Sequence, residues 1–189
     1  MKVVIRDVRI SDAEKIARIN VDTWRSAYAG LIDEKTLQNL SYSDKVNGWK
    51  NRIESLDDRT QIFVAELNNE LVGFALAGQE QQDPSIKSKQ YKGELMAIYV
   101  SEKFQRKGIG TQLVLKVADY FISNKINSTC VWTLKGNPYS DFYVNLGAEL
   151  IDSKPHLIDQ KEYTLISYGW KDNKSIMNSN QSKIANNKK

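Results

Sequence analysis

The sequence is poor in the residue types that build disulfide frameworks and metal sites. Its 189 residues include one cysteine, one histidine and three prolines. Cys130 cannot form an internal disulfide, and its neighbours Val131 and Trp132 indicate a buried strand rather than a reactive thiol. No serine, cysteine or carboxylate pattern surrounds His156, so the sequence predicts neither a catalytic triad nor a metal site.

Long apolar runs are also lacking. No stretch approaches the roughly 18 to 20 apolar residues that a membrane helix needs. The first residues, MKVVIRDVRISD, contain no apolar signal core followed by a cleavage site. We therefore expect a cytoplasmic protein with no membrane partner.

Excess charge is absent from most of the chain. The net charge is +4, but residues 171–189 contain five lysines and one aspartate, so residues 1–170 sum to zero. This final segment is rich in Asn, Lys and Ser, and we expect a disordered tail. Nucleic-acid binding through it would be loose and salt-dependent, so no specific nucleic-acid partner is predicted. Residues 1–170 are expected to form one domain, because the chain is short for two.

Hydrophobic spacing predicts an α/β chain with strands and helices intermixed. Capping residues Ser11, Asp33 and Ser43 are expected to open three early helices. The predicted strands lie at residues 3–8, 61–67, 71–77, 94–100, 129–134, 148–153 and 162–170. A long helix is predicted at residues 108–124 and a short one at residues 139–145.

The sharpest motif, SEKFQRKGIGT, lies between the strand that ends at Val100 and the long helix. Gly108 and Gly110 leave the backbone amides at the helix start open, which favours binding of a diphosphate. Positive charge beside them comes from Lys103, Arg106 and Lys107. The plain alternative is a glycine pair that only turns the chain into a helix. No lysine follows the second glycine and Leu113 replaces a third glycine, which excludes a P-loop and a dinucleotide fingerprint.

With these residues in place, the chain resembles the GCN5-related N-acetyltransferase (GNAT) superfamily over about residues 3–170. The family's Q/R-x-x-G-x-G/A loop is matched by Gln105–Gly110, and Gly136–Ala148 resembles its Asn…Phe-Tyr…Leu-Gly segment. The resemblance implies the GNAT fold, with a central mixed, mostly antiparallel twisted sheet of about seven strands. Helices would flank this sheet, and the cofactor strands would splay apart.

The resemblance implies acetyl-CoA as co-substrate and no metal. In the family, the pantetheine arm pairs with strand backbone as an added strand would, and the diphosphate lies on the loop amides. The implied cofactor-binding residues are Ile98, Tyr99, Val100, Gln105, Arg106, Lys107, Gly108, Ile109, Gly110, Thr111, Asn137 and Tyr143.

Attack of an amine on a thioester needs a proton acceptor for the amine and a proton donor for the leaving thiolate. Tyr143 resembles the family's general acid, and Glu94 resembles the carboxylate that takes the amine proton. An ordinary buried aromatic and a solvated strand-end glutamate are the alternatives for these two residues.

Trp24 and Tyr28 are candidates for the acceptor pocket, although aromatic residues at helical spacing also occur as plain core. The resemblance implies acetyl transfer to a primary amine of a small molecule or peptide. Two alternatives are a different acyl-CoA donor and a non-catalytic acetyl-CoA-binding sensor. Family members often pair, and apolar residues of the last strands would serve a homodimer.

Overall fold

The computed structural model describes residues 2–79 and 91–178. The strands are β1 Val3–Asp7, β2 Thr60–Leu67, β3 Glu70–Gln79, β4 Gly93–Val100, β5 Thr129–Leu134, β6 Glu149–Ile158 and β7 Lys161–Trp170. The helices are α1 Ala13–Ala27, α2 Glu34–Gln38, α3 Tyr42–Glu54, α4 Ile109–Ser123 and α5 Asp141–Asn145. Short 3-10 helices lie at Ile10–Asp12 and Glu102–Phe104.

The seven strands form one mixed sheet in the order β1-β2-β3-β4-β5-β7-β6. Strand β2 is antiparallel to β1, and β7 is antiparallel to both β5 and β6. Strand β4 is parallel to β5. The predicted fold, a mostly antiparallel sheet of about seven strands with flanking helices, is confirmed.

Contacts divide the chain into two compact units, Met1–Ala77 with Ala97–Val114, and Gly78–Met96 with Leu115–Lys189. Strands β3 and β4 and helix α4 each contribute residues to both units. The assignment of residues 1–170 to a single domain stays a prediction.

The first unit has its core on one face of α1. Ala13, Ala17 and Val21 recur at every fourth position, and each is at most 1% exposed. Phe74 of β3 is fully buried, and the ring of Trp49 from α3 meets it edge to face at 5.0 Å. An apolar stripe on α1 and an apolar strand therefore supply the core of this unit.

Ser11 does not form the predicted cap of α1. The 3-10 helix Ile10–Asp12 precedes α1 instead, and the carboxylate of Asp12 accepts a hydrogen bond from the Arg9 amide at 2.8 Å. Asp33 caps α2 as predicted, since its side chain accepts from the Lys35 amide. Helix α3 is capped by Ser41, two residues before the predicted Ser43, because the Ser41 hydroxyl reaches the Asp44 amide.

In the core of the second unit, aromatic rings pack against two glycines. Gly93 faces the ring of Phe121 from α4, and Gly169 of β7 faces the ring of Tyr91. Trp170 is 1% exposed and donates its indole hydrogen to the Leu146 carbonyl at 2.9 Å. These large rings fill space that side chains at the two glycines would occupy.

The ordered chain extends beyond residue 170, where we predicted a disordered tail to begin. Residues 173–178 are helical, and Asn173 and Ile176 are buried. The Asn173 backbone amide donates to the Asn127 carbonyl at 2.7 Å, and its side chain donates to the Ile126 carbonyl at 2.9 Å. One buried isoleucine and one bonded asparagine are enough to hold this short segment. The rest of the predicted tail, residues 179–189, lies outside the described residues.

Candidate active site

Two residues of the loop between β4 and α4 have a left-handed backbone, and the sequence pattern anticipates only the glycine. Gly108 has φ +78°, and Arg106 also adopts a left-handed conformation, with φ +59°. Helix α4 begins directly afterwards at Ile109, which is 1% exposed. The first amides of a helix have no partner within it, so this turn presents unpaired N–H groups beside the two left-handed residues.

Side chains of the loop bond to the loop itself and to the end of β4. The Gln105 amide nitrogen donates to the Val100 carbonyl at 3.0 Å. The Lys107 ammonium donates to the Lys103 carbonyl at 3.1 Å and lies 5.2 Å from the centre of the Phe104 ring. These contacts hold a positively charged loop directly after the strand.

The two edges of the second half of β4 are distinct. The Ser101 amide donates to the Val72 carbonyl of β3 at 2.9 Å, and a Cβ placed on Gly73 would lie 2.8 Å from the Tyr99 carbonyl oxygen. The backbone of positions 99 and 101 therefore faces β3. Because the backbone groups of a strand alternate in direction, Ile98 and Val100 face the opposite edge.

That opposite edge is paired only at its start. The parallel register of β4 with β5 consists of Gly93 opposite Thr129 and Glu94 opposite Cys130. Among residues 2–79 and 91–178, no strand pairs with the outward backbone of Ile98 or Val100. Apart from the Val100 carbonyl, which accepts from the Gln105 side chain, this part of β4 can pair with an extended ligand.

Trp24 and Tyr28, the predicted acceptor residues, lie together in the first unit. Their rings meet edge to face at 5.1 Å, and the Trp24 indole hydrogen is donated to the Tyr99 phenol oxygen at 2.8 Å. Burial raises the pKa of the Tyr99 phenol, which therefore stays protonated well above neutral pH. Tyr28 is 8% exposed, whereas Trp24 and Tyr99 are half-buried. Sequence reasoning proposed only the backbone of Tyr99 and missed its side chain.

The predicted acid and base lie in the second unit. Tyr143 is on α5 and 7% exposed. Its ring stacks on that of Tyr168 at 5.9 Å and meets the Trp170 ring edge to face at 6.3 Å. Glu94 lies on the first half of β4 and is half-buried. The structure thus gives Tyr143 an aromatic surround and makes Glu94 the second residue of β4.

Asn137 holds its own turn. Its side-chain nitrogen donates to the Thr133 hydroxyl at 2.6 Å, and its side-chain oxygen accepts from the Tyr139 amide at 2.9 Å. The amide group is therefore oriented by β5 and by the chain leading to α5. One of its two N–H groups remains for the predicted contact with the pantetheine arm.

Gly73 is a site residue that sequence reasoning missed. It is buried in the middle of β3, where it permits the close approach of Tyr99 and Val100. A glycine inside an apolar strand is an available pattern for close backbone approach.

Two classes of structure are not found in the described part of the chain. In residues 2–79 and 91–178, no group of three or more His, Cys, Asp or Glu residues is placed to hold a metal ion. No helix within the same ranges is long and apolar enough to span a bilayer.

Known proteins share both the sequence pattern and the fold. The model of the "Acetyltransferase (GNAT) family" matches residues 20–148. The "Uncharacterized N-acetyltransferase YuaI" of Bacillus subtilis (strain 168) is 32% identical over 173 residues, which cover 90% of this chain and 94% of that protein.

Solved structures show the same fold at lower identity. A PaiA N-acetyltransferase from Thermoplasma acidophilum, solved in complex with coenzyme A, is 19% identical with a TM-score of 0.62, covering 90% of this chain and 100% of that one. A ribosomal-protein-alanine N-acetyltransferase from Brucella melitensis is 20% identical with a TM-score of 0.66, covering 88% and 98%.

Proposed function

The chain belongs to the Acetyltransferase (GNAT) family and is an acyltransferase, and from this premise we propose that its donor is acetyl-CoA and its acceptor a primary amine of a small molecule or peptide. Both substrates are bound when the amine attacks the thioester carbonyl. A nitrogen–carbon bond forms and the carbon–sulfur bond breaks. The amine gives up one proton, and the departing thiolate gains one.

The proposal rests on one observation in the first unit. An open strand edge is followed directly by a loop whose backbone amides are open. The Ile98 backbone and the Val100 amide face away from β3, so they can hydrogen-bond the amides of a pantetheine arm, while the Val100 carbonyl accepts from Gln105. The amides of residues 106–111 follow, with a left-handed Arg106 and Gly108, and they suit the coenzyme diphosphate. Tyr99 turns its carbonyl to β3, so the geometry favours its two neighbours for the arm.

Proton transfer is assigned to two residues of the second unit. Tyr143 would give its phenol proton to the coenzyme thiolate, and Glu94 would accept the amine proton directly or through water. The burial of Tyr143 among rings supports this role, because a phenol held in one orientation is a better-placed donor. Asn137, already fixed by Thr133, would bond the pantetheine arm through its remaining N–H.

The acceptor is assigned to the aromatic group Trp24 and Tyr28. Their ring contact, and the hydrogen bond from Trp24 to Tyr99, give a rigid wall joined to β4, the strand that carries the proposed coenzyme edge.

Strand β6 offers a candidate surface on which two copies of the chain would pair. Leu150 and Leu157 are 65% and 66% exposed, and β6 pairs only with β7 among the described strands. Sedimentation velocity of the wild type and of Leu157→Lys tests this homodimer. A dimer that persists unchanged in the variant excludes this surface.

The experiment for the proposed function is thiol release from acetyl-CoA with a panel of primary amines. Tyr143→Phe should lower kcat by about 100-fold or more, since general acid catalysis contributes roughly 10²- to 10⁴-fold. The Kd of the Tyr143→Phe variant for coenzyme A should stay unchanged. Tyr168→Phe is the matched control, because it removes a phenol from the stacked neighbour. Coenzyme binding without turnover on any amine would contradict the enzyme and favour the sensor; faster release from propionyl-CoA or succinyl-CoA would change the donor.

A further inference from the structure

The side chain of Gln105 connects two segments that the proposed function assigns to different parts of one ligand. Its amide nitrogen donates to the Val100 carbonyl at 3.0 Å, and the side chain is half-buried. Val100 is the last residue of β4, and Gln105 is the residue directly before Arg106, where the backbone turns left-handed. The bond therefore links the open strand edge to the start of the open loop.

The other bonds of this loop are local. The Phe104 amide donates to the Ser101 carbonyl at 2.8 Å, the Gln105 amide donates to Glu102 at 3.2 Å, and Lys107 bonds Lys103. Each of these bonds stays within the loop. The hydrogen bond from the Gln105 side chain, by contrast, ties residues 105–108 back to β4.

The acceptor atom of this bond is on the ligand-facing edge. Since the Ser101 amide bonds β3, the Val100 carbonyl faces the edge proposed for the pantetheine arm. Arm and diphosphate are joined covalently at a fixed spacing, so a protein that binds both must hold its strand edge and its loop amides at a matching distance. A loose loop would lose part of the binding free energy to ordering.

We propose that Gln105 is a positioning residue whose side-chain N–H, bonded to the Val100 carbonyl, sets the distance between the strand edge and the loop amides for coenzyme A. This inference rests on the proposed function. It assigns to Gln105 a role through its side chain, in addition to the loop backbone. The property required is a long side chain with an N–H donor at its end.

The donor requirement is tested by calorimetric titration of coenzyme A into the wild type and three variants at position 105. Gln105→Ala removes the donor, and Gln105→Glu keeps the size but places an acceptor against the Val100 carbonyl. Each should raise the Kd by about 3- to 10-fold, the range expected for one hydrogen bond. Gln105→Arg restores N–H donors, so its Kd should lie within about 2-fold of the wild type.

A matched control and a kinetic readout separate positioning from general damage. Gln112→Ala changes an exposed glutamine on α4 and should leave the Kd unchanged. At saturating acetyl-CoA, kcat of the Ala and Glu variants should equal that of the wild type, because binding of the ground state and of the transition state is weakened equally. Thermal unfolding confirms that each variant folds, and the Glu variant carries the test if the Ala variant does not.

Equal Kd values for all four side chains would overturn the inference, as would an Arg variant as weak as the Ala variant. A Gln112→Ala variant weakened to the same degree would also overturn it. Failure of the wild type to bind coenzyme A is a different result, and it would remove the proposed function itself.

Discussion

Gly73 lies so close to Tyr99 that a Cβ atom on the glycine would be 2.8 Å from the Tyr99 carbonyl oxygen. The same Cβ would lie 3.2 Å from a methyl group of Val100. Real Cβ atoms essentially never come within 3.0 Å of such a neighbour, so β3 can meet β4 here only through a glycine. The position of the proposed coenzyme edge thus depends on the absence of one side chain on its neighbour.

Gly73→Ala should therefore push the second half of β4 away from β3. Overpacking of this kind costs about 1 to 3 kcal/mol of unfolding free energy, and the displaced Val100 should weaken coenzyme A binding. Urea unfolding and calorimetry measure the two effects. Gly48→Ala, in α3 with no atom near its Cβ position, should instead stabilise the protein by up to about 1 kcal/mol. Full stability of Gly73→Ala would contradict the close approach.

The contacts of the Asp12 carboxylate predict that the free energy of unfolding depends on pH. Burial alone would raise its pKa, but the Arg6 side chain at 2.7 Å and the Arg9 amide together hold the pKa below its ordinary value. A carboxyl with a lowered folded pKa stabilises the protein above its unfolded pKa, about 3.9, and the contribution fades as pH falls through the folded pKa. Asp12→Asn should lose about 2 to 3 kcal/mol at pH 7, a difference that shrinks below about pH 4.

The control for Asp12 uses the other acidic partner of Arg6. The Glu66 carboxylate bonds the Arg6 guanidinium at 2.8 Å but is 26% exposed, against 8% for Asp12. Glu66→Gln should cost less than Asp12→Asn, because water replaces more of its interaction. Urea unfolding from pH 3 to pH 7 compares the two variants. A pH-independent gap between wild type and Asp12→Asn would count against the lowered pKa.

Asn173 should matter although it follows the predicted end of the domain. Asn173→Ala leaves the buried Ile126 carbonyl without the hydrogen bond that the Asn173 side chain donates. An unsatisfied buried acceptor costs about 1 to 3 kcal/mol, which urea unfolding can measure. Lys174→Ala, one residue later and exposed, should change stability by less than about 0.5 kcal/mol. Equal effects of the two changes would mean that the segment at residues 173–178 is not held by Asn173.

Local patterns were sufficient for the loop but not for its contacts. Gly108 and the helix after it were predictable because glycine, loop and apolar stripe lie within a few residues of one another. The bond from Gln105 to Val100 depends on how the chain turns between them, and the contact of Gly73 with Tyr99 depends on strand register. Sequence spacing carries no direct record of register between segments.

Capping and chain ends show the same limit on a smaller scale. Ser41 and Ser43 are both good helix caps, and the structure uses the first. The sixth strand was predicted to end at residue 153, but β6 continues through Pro155 to Ile158 opposite β7. Asn173 appeared as one polar residue in a polar tail, because its two partners, Asn127 and Ile126, are distant in sequence.

The central claim is that the loop amides around Gly108 bind the diphosphate of coenzyme A. Gly108 and Gly30 offer a matched pair, since both have φ +78° and neither has an atom within 4 Å of its Cβ position. Alanine at either position should cost a similar strain of about 1 to 2 kcal/mol. Only Gly108 belongs to the proposed coenzyme loop.

The decisive measurement is calorimetric titration of acetyl-CoA into wild type, Gly108→Ala and Gly30→Ala. The wild type and Gly30→Ala should bind with similar Kd values, whereas Gly108→Ala should bind about 10- to 100-fold more weakly, as expected for losing one charge-assisted contact. No binding by the wild type, or equal binding by both alanine variants, would contradict the account.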